Sequence, residues 1–215
     1  MDKSNYNRDV EYWNSFYEGN RAIQEQSNFA TFVWDNYLRY TPGSLIELGC
    51  GNGRDSAYFI SKSLSVTGID ASKTAIDELS YKYRGLNGVK FICEDFVNYT
   101  DKSKYAHCYS RFSIHAISEK QETKLFERLG EILEPNALFF IEVRSINDEI
   151  FGKGELVEED AYFYQGHYRR FIRLERLITK MIKNGFTIDF AAERRGFAPY
   201  GLDDPMIIRV VGRKS

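Results

Sequence analysis

Residues 44–59, SLIELGCGNGRDSAYF, change character twice within a short span. The run 44–48 is apolar and strand-sized, Gly49, Gly51 and Gly53 alternate with Cys50 and Asn52, and 55–62 has the spacing of a helix. An apolar run, a glycine turn and a helix in that order place the turn at the carboxyl end of a strand. The glycines let the chain bend tightly and let a ligand approach the backbone, while the free N–H groups of the next helix aim at that ligand. Glu47, just ahead of the first glycine, suits an ammonium group and would repel a pyrophosphate. The Gly49-x-Gly51-x-Gly53 spacing also departs from the GxGxxG fingerprint of dinucleotide sites.

Outward from this turn, short apolar runs alternate with amphipathic stretches, the pattern of a sheet covered by helices. Strands are expected at 44–48, 65–69, 89–93, 106–112, 137–143, 187–191 and 205–211, and helices at 55–62, 73–83, 119–133 and 172–183, with one or two more before residue 40. Strands separated by helices require parallel crossovers. The last two have no room for a helix between them and should pair antiparallel. The expectation is an α/β fold: a seven-stranded, mostly parallel sheet with an antiparallel last strand and helices on both faces.

Two further acids fall where this fold would gather them. Asp70 closes the second strand in VTGIDAS, followed by Ala71 and Ser72, where a carboxylate accepts hydrogen bonds from both hydroxyls of a ribose. The third strand ends in FICEDF, which places Asp95 as an acceptor for an adenine amino group and Phe96 beside the base. ELGCGNG, GIDAS and CEDF in this order resemble the motif set of class I S-adenosylmethionine-dependent methyltransferases over residues 40–145. The resemblance implies a Rossmann-like core with S-adenosylmethionine as cofactor and S-adenosylhomocysteine as product. Glu47, Gly49 and Gly51 would line the methionine end, Asp70 would hold the ribose, and Asp95 with Phe96 would face adenine. An ordinary nucleotide binder, its glycines serving only the turn, is the plainer alternative. EYWNSFY, with Trp13 and Tyr17 about one helical turn apart, resembles an aromatic pair that small-molecule methyltransferases fold over the cofactor; the alternative is a helix packing an aromatic face on the core. Residues 1–40 are therefore expected to form a helical cap, and 41–215 the cofactor-binding domain.

On the acceptor side, YSRFSIHAI carries Arg111 and His115. An imidazole that titrates near neutrality could deprotonate or orient a hydroxyl, and Arg111 could take the cofactor carboxylate or an acidic acceptor; a lone histidine beside a sheet is also often structural. The stretch 145–171 shows no clean period and is too long for a plain connector, which marks it as a lid or binding insertion. Arg144 and Asp148 open it, and His167, Tyr168, Arg169 and Arg170 close it. Arginine forks grip carboxylate or phosphate, so these residues suit an anionic acceptor, although Glu155, Glu158, Glu159 and Asp160 could simply balance the charge of a solvated lid. YSRFSIHAI, EVRSINDEIFGKGE, GHYRRF and RRGFAPYGLDDPMIIRV resemble methyltransferases of bacterial capsule and surface-polysaccharide biosynthesis, which implies a sugar, sugar-nucleotide or phosphorylated acceptor, O-methylated by preference.

A chain of 215 residues, 43% hydrophobic and 28% charged, fits a single core without staples. A net charge of −2 provides no basic field for nucleic acid. Cys50, Cys93 and Cys108 show no CxxC spacing, and with no signal-like or membrane-length apolar run, a soluble cytoplasmic protein with reduced thiols is expected. No metal site is expected; Asp148 and Glu149 could bind magnesium, but nothing in their spacing requires it. A detoxifying methyltransferase of the tellurite or thiopurine type, a nicotinamide-dependent reductase and a non-catalytic cofactor-binding module remain the rival readings. The oligomeric state is not legible.

Overall fold

The computed structural model describes residues 11–15 and 23–215. Residues 11–15 are helical; Tyr17 lies outside the described residues. Helix α1 (Asn28–Val33) starts at Ser27, whose hydroxyl accepts from the amide of Ala30, and runs into a wider turn at Trp34–Leu38. Strand β1 (Leu45–Leu48), helix α2 (Arg54–Ser61), β2 (Val66–Asp70), α3 (Lys73–Lys82) and β3 (Val89–Cys93) follow, and then β4 (Tyr105–Arg111). Helix α4 (Glu119–Ile132) opens with a reciprocal cap: Ser118 accepts from the amide of Gln121, and the Gln121 side chain accepts from that of Ser118. Strand β5 (Leu133–Arg144), helix α5 (Leu174–Lys183), β9 (Phe186–Arg194) and β10 (Ile207–Lys214) complete the main layers.

The seven strands lie in the order β3-β2-β1-β4-β5-β10-β9. The β1–β2, β1–β4, β2–β3 and β4–β5 pairs are parallel, while β10 runs antiparallel to both β5 and β9. This is the expected fold. Strand β5 shows why the sheet holds, since its apolar side chains alternate between two cores. Phe139, Ile141 and Val143 join Phe126 and Leu129 of α4 and Met181 of α5 on one face. Leu138 and Phe140 join Phe29 and Val33 of α1 and Phe59 of α2 on the other. The order reverses at β1, with β2 on one side and β4 on the other, and open α/β sheets bind ligands in the crevice at such a point.

The insertion 145–171 is more ordered than its sequence suggested. It contains a second, antiparallel sheet of β6 (Glu155–Glu158), β7 (Ala161–Tyr164) and β8 (His167–Arg170). Each strand spans only 4 residues, too few for an alternation to stand out. The turn between β7 and β8 is Gln165–Gly166, with φ of 52° and 90°, a mirror-image turn whose twist matches that of the strands it joins. Phe151, Tyr162 and Phe171 pack edge to face and anchor this sheet, and Arg173 grips Asp160 through two hydrogen bonds of 2.6 and 2.8 Å. Among the described residues, no helix is long and apolar enough to cross a membrane.

Candidate active site

A cavity of about 870 Å³ opens along the carboxyl ends of the parallel strands. One end is acidic. Glu47, Asp55 and Asp70 line it beside Gly49 and Gly51. Glu47 is buried and accepts from the Ser56 hydroxyl; burial first, and then the charge of Asp55, push its pKa well above the ordinary carboxylate value. Burial also raises the pKa of Asp70, against the pull of two amides that donate to its carboxylate at 2.8 Å, those of Gly51 and Ser72. Asp70 thereby joins the glycine turn to the first residue ahead of α3. Carboxylates that disfavour one another's charge form a pocket that a cation relieves.

The glycine turn has a steric reason as well as a conformational one. Gly49 has φ +69°, and a Cβ there would lie 2.6 Å from Cβ of Ser113. Gly53, also left-handed, faces Leu79 of α3 and not the cavity; its missing side chain lets two helices approach. Ala71, Ser72, Asp95 and Phe96 extend the wall, with Cys50 and Asn52 beneath it. The Asp95 carboxylate accepts from the amide of Val97 at 2.9 Å and the side chain of Asn98 at 2.6 Å, which fixes its direction.

Arg111 faces this group from the end of β4. Its Nε donates to Glu142 at 2.8 Å, and Arg209 donates to the other oxygen of Glu142 at 2.7 Å. The three residues occupy one register level across β4, β5 and β10. Burial opposes the charge on Arg111, but Glu142, Tyr109 and Asp55 together outweigh it and raise the pKa of the guanidinium. Phe112, next along the chain, lines the cavity with φ of 56°, a left-handed conformation that a bulky residue rarely adopts.

The far end is formed by Arg144 and the loop between β9 and β10, where Phe197, Tyr200 and Asp203 line the wall. Arg144 is held by Asp148 at 3.0 and 3.1 Å and by Asp203 at 2.9 Å. The remaining acceptor candidates lie behind the wall. His115 is buried and stacks on Phe112, with ring centroids 5.4 Å apart. Burial, then Arg169, Arg144, His167 and Arg170, push its pKa well below the usual imidazole value. His167 is likewise lowered to about 4, by burial and then Arg169. Tyr168 is buried and donates to Glu158, and Arg170 is tied to the carbonyl of Ile117 at 3.0 Å and to Glu122 at 2.5 Å, away from the cavity.

Several wall residues carry no motif that the sequence betrays. Residues 23–28 cross the cavity mouth and are fastened by Ser27, whose amide and hydroxyl both donate to Asp55 at 2.7 Å, and by Asn52, which donates to the carbonyl of Ile23 at 2.9 Å. Tyr109 donates to the same Asp55 oxygen at 2.7 Å. Trp13 forms another part of the wall, and its neighbour Asn14 accepts from Ser72 at 2.7 Å. The 197–205 loop could have been suspected from its breakers Pro199, Gly201 and Pro205; the pairing of Ser27 with Asp55 leaves no such trace.

Residues 45–136 match the family model described as a methyltransferase domain. This match contains Glu47, the glycine turn, Asp70, Asp95 and Arg111, and it agrees with the expected class of enzyme, a methyltransferase. A comparison with curated proteins gives no match. Solved structures share the fold of the methyltransferase domain and of its flanks. A Burkholderia thailandensis 1,6-didemethyltoxoflavin N1-methyltransferase, solved with its substrate and S-adenosylhomocysteine, superposes with a TM-score of 0.71 at 15% identity, covering 96% of this chain and 87% of that one. A Clostridium acetobutylicum S-adenosylmethionine-dependent methyltransferase gives 0.70 at 14% identity, covering 95% and 98%. The glycopeptide N-methyltransferase MtfA bound to S-adenosylhomocysteine gives 0.66 at 14%, covering 91% and 93%. Neighbours solved with S-adenosylmethionine or its product agree with the expected cofactor.

Proposed function

We propose that this protein transfers the methyl group of S-adenosylmethionine to a small anionic acceptor, with oxygen as the favoured nucleophile. The observation that carries this reading is the polarity of one continuous cavity, acidic and glycine-lined at one end and closed by Arg144 at the other. The residues fit the cofactor: Glu47, with Asp55 and Asp70 pressing on it, forms an end that a cationic ligand relieves, and Gly49 leaves the space that a side chain would fill. Glu47 would take the ammonium group, Asp70 the ribose hydroxyls, and Asp95 with Phe96 the adenine. Arg111, oriented by Glu142, would take the methionine carboxylate. The sulfonium supplies an already activated methyl group.

What this chain adds is positioning and exclusion of water, worth on the order of 7–11 kcal/mol when reacting atoms are held in line. Trp13 and residues 23–28 would act as the N-terminal cap, and Arg144 would anchor the acceptor. His115, neutral and set behind Phe112, serves as an orienting group for the acceptor and not as a strong base. A sugar-nucleotide or phosphorylated metabolite of the kind used in bacterial surface-polysaccharide assembly would supply the anion this end calls for. The test is incubation with radiolabelled methyl donor and a panel of sugar nucleotides, phosphosugars, small carboxylic acids and neutral aromatic compounds. Labelling confined to anionic members is the expected result; labelling of only neutral or soft acceptors would overturn the acceptor class.

A further inference from the structure

Behind the arginine end of the cavity, two buried nitrogens have no hydrogen-bond partner among the described residues, Nδ1 of His115 and Nε of Arg169, and Nδ1 of His167 has nothing better than a weak contact with the backbone of Gln165. They belong to neighbouring elements. The turn Ile114–Ala116 packs on β8, which carries the other two, and Arg169 donates to Nε2 of His167 at 2.6 Å. Leaving even one such group unsatisfied is costly, and native interiors rarely do so. Together they mark a place shaped for something else.

Charge identifies the occupant. Arg170 is matched by Glu122, and Arg144 by Asp148 and Asp203. Arg169 is half-buried and has no carboxylate within salt-bridge distance among the described residues, and burial followed by the charge of Arg144 lowers its pKa to about 10. A cluster of potential donors with an excess positive charge and no carboxylate on Arg169 is complementary to an anion. The route in is also visible. Tyr12 lies over the His167 ring at a centroid distance of 4.7 Å and Trp13 at 5.6 Å, and Trp13 is itself part of the cavity wall. The helix at residues 11–15 therefore separates the nitrogens from the cavity by one layer of rings.

We propose that Arg169, His115 and His167 form a closed seat for a phosphoryl or carboxylate group of the methyl acceptor, opened when Trp13 swings aside. This rests on the methyltransferase reading for the identity of the ligand, and it adds Arg169 as a second anchoring charge behind Arg144 of the cavity wall. The seat would hold one end of the acceptor while the other reaches the methyl group.

The chain has 3 histidines, and the third, His107, lies apart from the cluster, with Nε2 at 2.7 Å from the carbonyl of Thr41. It is an internal control. Imidazole resonances of the full chain, saturated with S-adenosylhomocysteine, would be followed by NMR while inorganic phosphate, and separately acetate, is titrated at constant ionic strength. The expected result is saturable movement of His115 and His167 but not His107, weakened about tenfold or more in Arg169→Met. The tighter of the two anions identifies the group the seat prefers. Absence of saturable movement at His115 and His167, or equal movement of all three histidines in wild type and Arg169→Met, would overturn the seat. Calorimetry of S-adenosylhomocysteine on the same samples tests the methyltransferase reading independently and verifies that the variant is folded.

Discussion

The two ends of the cavity are built differently. At the acidic end, Glu47, the glycine turn, Asp70 and Asp95 sit at the ends of adjacent parallel strands, and their partners are mostly backbone amides close by: Gly51 and Ser72 for Asp70, Val97 for Asp95. At the arginine end, Arg144 is held by Asp203 from a loop far along the chain, and Arg170 reaches Glu122 on α4. The first arrangement follows from local sequence and the strand order. The second exists only once the β9–β10 loop and the small sheet have docked. In the proposed reading, cofactor recognition is a property of the fold, whereas acceptor recognition is a property of the additions to it.

The difference can be broken most severely at Asp70. Asp70→Ala removes the proposed ribose acceptor, and charge-assisted bonds of about 1.5–3 kcal/mol each make the expected loss of S-adenosylhomocysteine affinity at least a hundredfold by calorimetry. Glu142→Gln tests the structure shared by both ends. It leaves two buried guanidinium groups without their counter-charge and should destabilise the protein by about 3–5 kcal/mol in denaturant melts. Arg144→Met should spare S-adenosylhomocysteine binding while raising the KM for the acceptor about tenfold to a hundredfold; an equal loss of cofactor affinity would erase the distinction between the ends.

A finer probe is pH. His167 has a folded pKa of about 4 against an ordinary value near 6.5, so the folded state binds its proton less readily than the unfolded one. The contribution is complete above pH 6.5 and declines as pH falls toward 4, by about 2 kcal/mol at pH 5. The burial-raised carboxyls Glu47 and Glu142 act in the opposite sense, so the measurement is a difference: stability lost between pH 7 and pH 5 should be smaller in His167→Asn than in wild type. At the bottom of the scale, Leu202 is fully exposed on the loop that carries Tyr200 and Asp203, and Leu202→Ser should leave the melting temperature unchanged within measurement error.

The same contrast explains how much could be read from the amino acids alone. All seven strands of the main sheet, four of the helices and the antiparallel ending follow from apolar runs, their spacing and the lack of room before β10. Asp70 and Asp95 were legible because strand ends place them. The small sheet was not, since strands of 4 residues show too little alternation and its turn, Gln165–Gly166, lacks the asparagine or aspartate that usually marks one. Arg170 and Tyr168 read like their neighbour Arg169 in sequence; only burial and their partners Glu122 and Glu158 separate them. What fastens the 23–28 segment was not legible, because the aspartate that holds Ser27 lies in another element and the link is purely spatial.

Glu142 gives one carboxylate to two arginines, one facing the cofactor side of the cavity and the other, Arg209, wrapped by Phe29, Phe32 and Phe197. A change in the aromatic sleeve around Arg209 would alter how strongly that arginine competes for the shared oxygen pair, and so how much negative charge Arg111 feels. Under the proposed reading, the last strand of the sheet would adjust the methyl-donor site remotely, as a counterweight adjusts a balance, without any substitution inside the cavity.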